Sequence, residues 1–478
     1  MTLYHDIASK ISTHIDNGIF QPGTRLPGVR RLSEQFGVSI STIVQAQRQL
    51  ENRGLLEARP RSGYYISARP WLKPQLPTLS QPDLKPTPVT GQELVIQLAQ
   101  YANQPEVIQL GAAVPAVSFM PIRAFQRSLG KIVRQYGHRA ANYAFPPGLP
   151  ELQQQIARRM CLSGSAVKAD QILITNGCQE ALSLALQSVA QAGDIIAIES
   201  PTFYGLLQVI ESLGMKALEI PTDPQHGISL PALELALEQW PVKACVLIPN
   251  FSNPLGSLMP DSHKQQLVKL ARRHQLVLIE DDIYADLGFS GERPRSLLSF
   301  ETNPAQGHII YCSSFSKTIA QGLRIGWMVA PKHYLQRAEY LKYVTNLAAP
   351  TLPQLALADF LAHGGYERYL RQVRSQYLRQ VQLFTHALSK YFPPSTRVTQ
   401  PKGGFVLWVE LASRVDTLQL TQHALQQNIS IAPGQIFSAT PKYRNCLRLS
   451  CAQPWSAELE RALITLGRLA QAHHQPHW

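Results

Sequence analysis

Along the first 69 residues the apolar positions keep helical spacing. Leu3, Ile7, Ile11 and Ile15 fall on one face and stop at Gly18, and Val29, Leu32 and Phe36 mark a second, shorter helix ending at Gly37. Between them Pro22-Gly23-Thr24-Arg25-Leu26-Pro27 gives an extended loop. A third helix is predicted from Ser39 or Ser41 to Arg53, burying Ile43, Ala46 and Leu50. The period then changes: Leu55 to Ala58 and Tyr64 to Ile66 read as two strands about the turn Arg59-Pro60-Arg61-Ser62-Gly63. Three helices and a basic hairpin predict a winged helix-turn-helix.

Farther along, apolar residues come in short unbroken runs closed by turn formers, the pattern of an α/β sheet. Ile172-Leu173-Ile174-Thr175 leads through Asn176-Gly177 into a helix start at Cys178, which offers backbone N–H groups and a helix dipole to an anion. Ile195 to Ile198 leads into Glu199-Ser200-Pro201-Thr202-Phe203-Tyr204-Gly205, placing an aromatic where a flat ring can stack, with core packing the other reading of either ring. Ala244 to Ile248 ends in Pro249-Asn250-Phe251-Ser252-Asn253-Pro254-Leu255-Gly256, an amide side chain locked between turn formers. Leu276 to Ile279 delivers Glu280, Asp281 and Asp282 at a strand's C-terminal end, where such sheets place ligand groups.

Between the two patterns, residues 70–88 carry six prolines. That density forbids regular helix and predicts a stiff, extended linker of polyproline II type; at about 3.1 Å per residue it would span roughly 60 Å, enough to carry the N-terminal module to a partner subunit. Trp71 within it is expected to dock on a domain surface.

The candidate chemistry centres on Ser314-Phe315-Ser316-Lys317-Thr318, followed by Arg324. A lysine that attaches pyridoxal phosphate (PLP) needs a hydroxyl and a guanidinium nearby to hold the phosphate, and Ser314 and Arg324 flank Lys317. Taken alone, Ser-x-x-Lys equally describes a solvated lysine at a helix start. PLP also needs a buried carboxylate to keep its pyridine nitrogen protonated, and Asp281, with Tyr284 three residues on, suits that task. Glu280 and Asp282 read as ordinary loop charges.

Together these segments resemble the fold-type I aminotransferases. The resemblance implies Lys317 as the Schiff-base lysine, Asp281 as the pyridinium partner, and Asn253 and Tyr284 as donors to the ring hydroxyl. It implies Phe203 rather than Tyr204 as the stacking ring, and Gly177, Cys178, Ser314, Ser316 and Arg324 around the phosphate. Tyr143, in Asn142-Tyr143-Ala144-Phe145-Pro146-Pro147-Gly148, matches a tyrosine that reaches the phosphate of the other subunit, so a homodimer is implied. Gly403-Gly404-Phe405 and Asn445 to Ser450 match strands of the family's small domain, with Arg448 gripping an amino acid's carboxylate, a task that suits the planar, bidentate guanidinium.

The first module resembles the GntR-superfamily DNA-binding domain through Tyr4, Ile7, Ile11, Gly18, Pro22-Gly23, Leu26-Pro27, Arg30, Leu32, Phe36-Gly37-Val38-Ser39 and Leu50. Its recognition helix would present Ser41, Gln45 and Arg48 to base edges or phosphates, Arg30 would lie near a phosphate, and Arg59 and Arg61 would sit on the wing. Arginine often follows the turn's serine in the family; here that position is Ile40, so operator preference is not carried over.

Residues 1–69 hold nine Lys/Arg and five Asp/Glu, a net +4, against +13 for all 478 residues, so charge density is higher in the small module, as DNA binding requires. Six scattered cysteines show no metal spacing and suit a reducing compartment, and Cys178 reads as a small helix residue. No metal is expected. His473, His474 and His477 read as a solvated tail. With no apolar run of membrane length and no signal-peptide stretch, a cytoplasmic protein is expected.

Both resemblances in this order identify the chain as similar to the MocR subgroup of GntR-type regulators. The expectation is a winged helix-turn-helix domain over 1–69, a linker over 70–91, and over 92–478 an α/β, fold-type I aminotransferase-like domain. That domain would have a mostly parallel central sheet with flanking helices and a small C-terminal α+β subdomain from about residue 350. The function implied is a PLP-dependent regulator with at most weak aminotransferase activity, binding double-stranded operator DNA as a head-to-tail homodimer with exchanged DNA-binding modules and sensing PLP or an amino acid or amine effector. The competing reading is an active aminotransferase carrying a DNA-binding module.

Overall fold

The computed structural model of the chain describes residues 3–21, 23–52, 55–59, 62–67, 74–90, 95–96, 100–101, 104, 106–301, 307–363 and 365–473. Arg61, Trp71, His474 and His477 lie outside the described residues.

The N-terminal module is built from α1 (Leu3–Asp16), α2 (Val29–Phe36), α3 (Ile40–Asn52) and the antiparallel strands β1 (Leu56–Arg59) and β2 (Gly63–Ile66), with Leu56 opposite Ile66. Ile7, Ile11, Leu32, Ile43, Ala46, Leu50, Leu56 and Ile66 form its core. Burying each large aliphatic side chain stabilises the module by about 1.5–3 kcal/mol. Leu3 departs from the helical pattern: it opens α1 a turn ahead of Ile7 and is 57 % exposed. Gly37 stops α2 in the left-handed region at φ 63°. Ser39 begins α3, its Oγ accepting the Thr42 N–H at 3.2 Å.

The large domain is organised on one nine-stranded sheet, ordered Thr87–Pro88, Lys216–Asp223, Ile195–Ser200, Val242–Leu247, Val277–Asp281, Ile309–Ser314, Gly326–Val329 and Ile172–Thr175, with Gly227–Ile228 paired to Lys216–Asp223. Its centre is parallel, and Gly326–Val329 runs against both of its neighbours. The parallel strands, buried along most of their length, therefore end on the same edge, which puts Asn176, Ser200, Asp281 and Ser314 along one rim.

A four-stranded sheet (Arg397–Val398, Val406–Glu410, Cys446–Ser450 and Ala432–Pro433) forms the small subdomain with the helices Gly365–Tyr391, Thr417–Leu425 and Ala457–Ala472. Ile108–Gln109 pairs in parallel with Ile429–Ser430, so an early stretch of chain joins this late subdomain. His473 is not a free tail residue: its Nε2 lies 3.0 Å from His423 Nδ1.

The linker is extended but not free. Gln75 O accepts the Val398 N–H at 2.8 Å, Thr78 donates from its N–H (2.7 Å) and Oγ1 (2.9 Å) to Glu410, and Leu84 O accepts Trp240 Nε1–H at 3.0 Å. Thr87 and Pro88 then pair with Ala217 and Lys216. The tether of roughly 60 Å is thereby corrected. Once Pro74 onward is bound, the seven steps from Ser67 to Pro74 span at most about 25 Å.

Candidate functional site

Two sites are built on these elements. In the N-terminal module, Ser41, Gln45 and Arg48 are exposed on the face of α3 opposite Ile43, Ala46 and Leu50. Ser41 Oγ lies 2.8 Å from Ser39 Oγ, so its hydroxyl is shared with the helix cap. Arg30 is exposed at the start of α2, and Arg59 lies on the wing with its guanidinium 4.1 Å from the centre of the Tyr65 ring. The wing is held to α3 by Tyr64 Oη donating to Glu51 at 2.8 Å. Arg25, which sequence reading passed over, bridges to Tyr65 and is exposed beside Gly63, adding a cation to the wing. Arg30→Ala and Arg48→Ala are each expected to weaken duplex binding and to lower the slope of log affinity against log salt by about one where the guanidinium neutralises a phosphate. Unchanged affinity and slope in the double variant would remove both from the interface.

In the second site, the strand Ile172–Thr175 and the helix Cys178–Val189 are joined by Gly177, at φ 90°. The left-handed backbone there is what calls for glycine; a Cβ would also stand 2.5 Å from Arg324 Nη2 and push the guanidinium aside. Arg324 donates to Asn176 O at 2.9 Å, placing a cation at the helix N-terminus. Glu180 accepts the Asn176 N–H at 2.6 Å and is neutralised by the buried Lys342, 2.9 Å away. Lys342 is more than 160 residues distant in sequence, and no local pattern marks it. The Ser314 and Ser316 hydroxyls lie 2.8 Å apart, with Ser314 Oγ donating to Ile325 O at 2.8 Å.

Lys317 follows this cradle. Its Nζ donates to Ala113 O at 2.8 Å, and burial, with Arg448 and Arg324 nearby, pushes the ammonium down to about 8 against the pull of Asp281. Asp281 is buried at the strand end, accepting Cys178 Sγ–H at 3.3 Å and the Ile283 N–H at 3.2 Å; burial foremost lifts its carboxyl to about 6. Such a carboxyl gains from a cation, which a protonated pyridine nitrogen supplies. Asn253 Nδ2 lies 3.4 Å from Tyr284 Oη, and Asn253 Oδ1 accepts Arg448 Nη1–H at 3.2 Å.

Arg448 is wholly buried, with Nη2 donating to Gly111 O, Nε without a partner, and no ion pair to a carboxylate among the described residues. Its guanidinium is 5.4 Å from the Phe437 ring centre and 6.0 Å from that of Tyr204. The two adjacent aromatics thus divide: Phe203 packs over Gly205 beside the helix start, and Tyr204 faces Arg448. Tyr143 stands apart, 69 % exposed, its ring stacked on Phe145 at 5.3 Å.

Glu280 and Asp282 are corrected from loop charges to buried supports. Glu280 accepts the N–H groups of Leu297 and Leu298 at 3.0 and 3.4 Å. Asp282 accepts Asn250 Nδ2–H at 2.7 Å, Tyr311 Oη–H at 2.9 Å and Arg293 at 3.1 Å. The segment 293–298 brings Arg293, Leu297 and Leu298 over the strand end, so side chains on either side of Asp281 are enclosed rather than solvated.

The donor set fits PLP: a cation and helix N-terminus for phosphate, an acidic group for the ring nitrogen, and an amine of lowered basicity for the aldehyde. With the amine near 8, roughly a quarter is neutral at pH 7.5, against about one in a thousand for an ordinary lysine. PLP uptake by the apo protein is therefore expected to accelerate steeply between about pH 6.5 and 8 and to level above, as stopped-flow absorbance would record. A rate still rising about tenfold per unit at roughly pH 9.5 would refute the lowered value.

Comparison with known proteins agrees with both halves. Residues 105–466 match the model of aminotransferase class I and II, and residues 3–66 that of the bacterial regulatory proteins of the gntR family. The chain is 41 % identical over 467 residues to the uncharacterized HTH-type transcriptional regulator YjiR of Escherichia coli (strain K12), covering 98 % of each chain. It is 31 % identical to 2-aminoadipate transaminase of Thermus thermophilus over 78 % of this chain and 92 % of that one. Among solved structures, α-aminoadipate aminotransferase LysN from Thermus thermophilus, complexed with N-(5'-phosphopyridoxyl)-L-leucine, superposes with a TM-score of 0.74 at 29 % identity, over 80 % of this chain and 95 % of that one. Pyrococcus horikoshii kynurenine aminotransferase gives 0.75 at 25 % identity, over 81 % and 96 %. A DNA-binding module and a PLP-binding aminotransferase fold in one chain, matched end to end by a named regulator, leave one placement: this chain belongs to the MocR subgroup of GntR-type transcriptional regulators and is a PLP-dependent, DNA-binding regulator.

Proposed function

We propose that the aminotransferase-like domain is the sensor of this regulator, reading PLP and an amino acid or amine brought to it, and passing its state to the DNA-binding module. The observation that carries this reading is Arg448, a buried guanidinium that meets no carboxylate among the described residues and stands close to Lys317. A buried cation without a counter-ion is costly, and the two oxygens of an amino acid's carboxylate match its planar fork.

PLP, when bound, supplies an electron sink for a group joined to its aldehyde carbon. The chain supplies the rest. Lys317 offers its neutral amine for covalent attachment, Asp281 keeps a proton on the ring nitrogen, and Asn253 and Tyr284 orient the ring hydroxyl. Phe203 covers one face, while Gly177, Cys178, Ser314, Ser316 and Arg324 hold the phosphate. Ser41, Gln45, Arg48, Arg30 and Arg59, with Arg61, meet the operator in a cytoplasmic protein. The exposed rings of Tyr143, Phe145 and Tyr343 form an apolar surface suited to a second copy of the chain, in a head-to-tail homodimer where Tyr143 reaches the partner's phosphate. Exchange of the DNA-binding modules is confined to the covalent reach of residues 68–73, at most about 25 Å from Ser67 to Pro74.

The test is binding to a duplex selected from a random pool by the protein itself, with PLP titrated into the apo form and the common amino acids into the PLP-bound form, while keto acid release is followed. Affinity that responds to ligand supports the sensor. Completeness of the site around Lys317, Asp281 and Arg448 favours the second reading, an aminotransferase with an attached module; brisk turnover with DNA affinity indifferent to every ligand would establish it instead.

A further inference from the structure

The linker crosses the large domain and the small subdomain where they meet, and four residues are joined there by a chain of hydrogen bonds. Ser80 Oγ accepts the Thr222 N–H at 2.9 Å, Thr222 Oγ1 accepts the Ser200 N–H at 3.1 Å, and Ser200 Oγ lies 2.7 Å from Tyr443 Oη. Ser80 belongs to the linker, Ser200 and Thr222 to strands of the large sheet, and Tyr443 to the small subdomain. Ser200 and Thr222 are buried, so their donors and acceptors have no water to fall back on.

The chain of bonds is continuous with the sensor site on both sides. Two residues after Ser200, the Thr202 N–H donates to Phe437 O at 2.9 Å, and Phe203 comes next. The Phe437 ring in turn lies against the Arg448 guanidinium. The segment 434–443 therefore touches Arg448 at one end and the linker at the other, where Lys442 Nζ also reaches Gln81 O at 3.4 Å. Tyr443 is held at φ 58°, a left-handed conformation unusual for a tyrosine, with its carbonyl pressed against Gly434 and its ring edge-on to Trp408. A second tie runs from Thr78 to Glu410, at the end of the strand that pairs Trp408 with Arg448.

We infer that the hydrogen-bonded chain Ser80, Thr222, Ser200 and Tyr443, with the Thr78–Glu410 tie, is the junction through which occupancy of the site reaches the DNA-binding module. This rests on the sensor reading above. The linker is bonded to the large domain through Ser80 and to the small subdomain through Glu410 and Lys442, the neighbour of Tyr443. A ligand carboxylate that draws Arg448 and segment 434–443 changes the distance between those two anchors. Hydrogen bonds tolerate only a few tenths of an ångström, so the linker has two discrete arrangements, seated across both bodies or released from one. The ligand can then bias DNA binding by favouring one of them.

The test uses the full-length protein with Ser80→Ala, Tyr443→Phe and Thr78→Val, singly and combined. Probes are PLP added to the apo form, each amino acid added to the PLP-bound form, and a duplex selected from a random pool by the wild type. PLP affinity is expected within about twofold of wild type in every variant, since none of these side chains lies in the cofactor site. The ligand-dependent change in duplex affinity is expected to shrink toward one, with the combined variant no worse than the strongest single one because all cut the same junction. Hydrogen–deuterium exchange should change over 74–81 and 434–443 together when ligand binds to wild type, and over 434–443 alone in Tyr443→Phe. Variants that keep the wild-type ratio and the joint exchange change would overturn this inference and leave the sensor reading standing. A wild type whose duplex affinity ignores every probe would overturn the sensor reading, and the junction with it.

Discussion

Lys317→Ala is expected to yield a folded protein from which no PLP can be fixed by borohydride, where the wild type fixes one per chain. The argument rests on one amine. Lys317 is the lysine placed beside Asp281 and Arg324 with its basicity lowered, whereas the other buried lysines are committed, Lys342 to Glu180 and Lys264 to Asn250 Oδ1 at 2.7 Å. Removing a half-buried side chain whose hydrogen bond is to Ala113 O is expected to leave the sheet rim and the turn at Gly177 in place. PLP should still bind, reversibly and more weakly, and unchanged circular dichroism would show the fold intact. Peptide mapping that finds the reduced adduct on another lysine would displace the assignment.

Arg448→Ala carries the second large effect. PLP loading and duplex binding are expected to persist, while amino acid affinity falls by about 2–4 kcal/mol, roughly 30- to 800-fold, because charge-assisted, paired hydrogen bonds to the carboxylate are lost. The response of DNA binding to amino acids should vanish at concentrations that saturate the wild type. Arg448→Lys guards against a trivial failure to fold. It keeps the charge but not the fork, and should restore only part of the affinity. Calorimetric titration decides the matter; near-wild-type amino acid binding in both variants would take the carboxylate away from Arg448.

What could be read from the sequence follows from what is local. The winged module was legible because its core is made by residues three and four apart, Ile7 with Ile11 and Ile43 with Ala46 and Leu50, and its breaks by Gly37 and Ser39. The rim of the large sheet was legible because each strand ends in its own turn, at Gly177, Pro201, Pro254 and Asp281. Supports contributed from afar were not: Lys342 on Glu180, Arg293 on Asp282, and Tyr204 rather than Phe203 beside Arg448. Glu280 and Asp282 have the composition of a loop and the surroundings of a core, since burial is decided by what the chain lays over them later. The six prolines told of extension but not of attachment, because the bonds that seat the linker come from Thr78, Ser80 and the backbone carbonyls of Gln75, Gln81 and Leu84, which carry no pattern.

That seated linker has a consequence for promoter architecture. In the homodimer proposed above, a covalent reach of at most about 25 Å from Ser67 to Pro74 would keep each DNA-reading head within that distance of its own Pro74, so the pair is expected to address half-sites at a narrow separation on one face of the duplex. Moving one half-site by about five base pairs turns it to the opposite face, where a head on so short a reach is not expected to follow, although its base sequence is untouched. Affinity for a selected operator is therefore expected to depend on the helical phase of its half-sites as well as on their base sequence, which duplexes with spacers varied by single base pairs would measure.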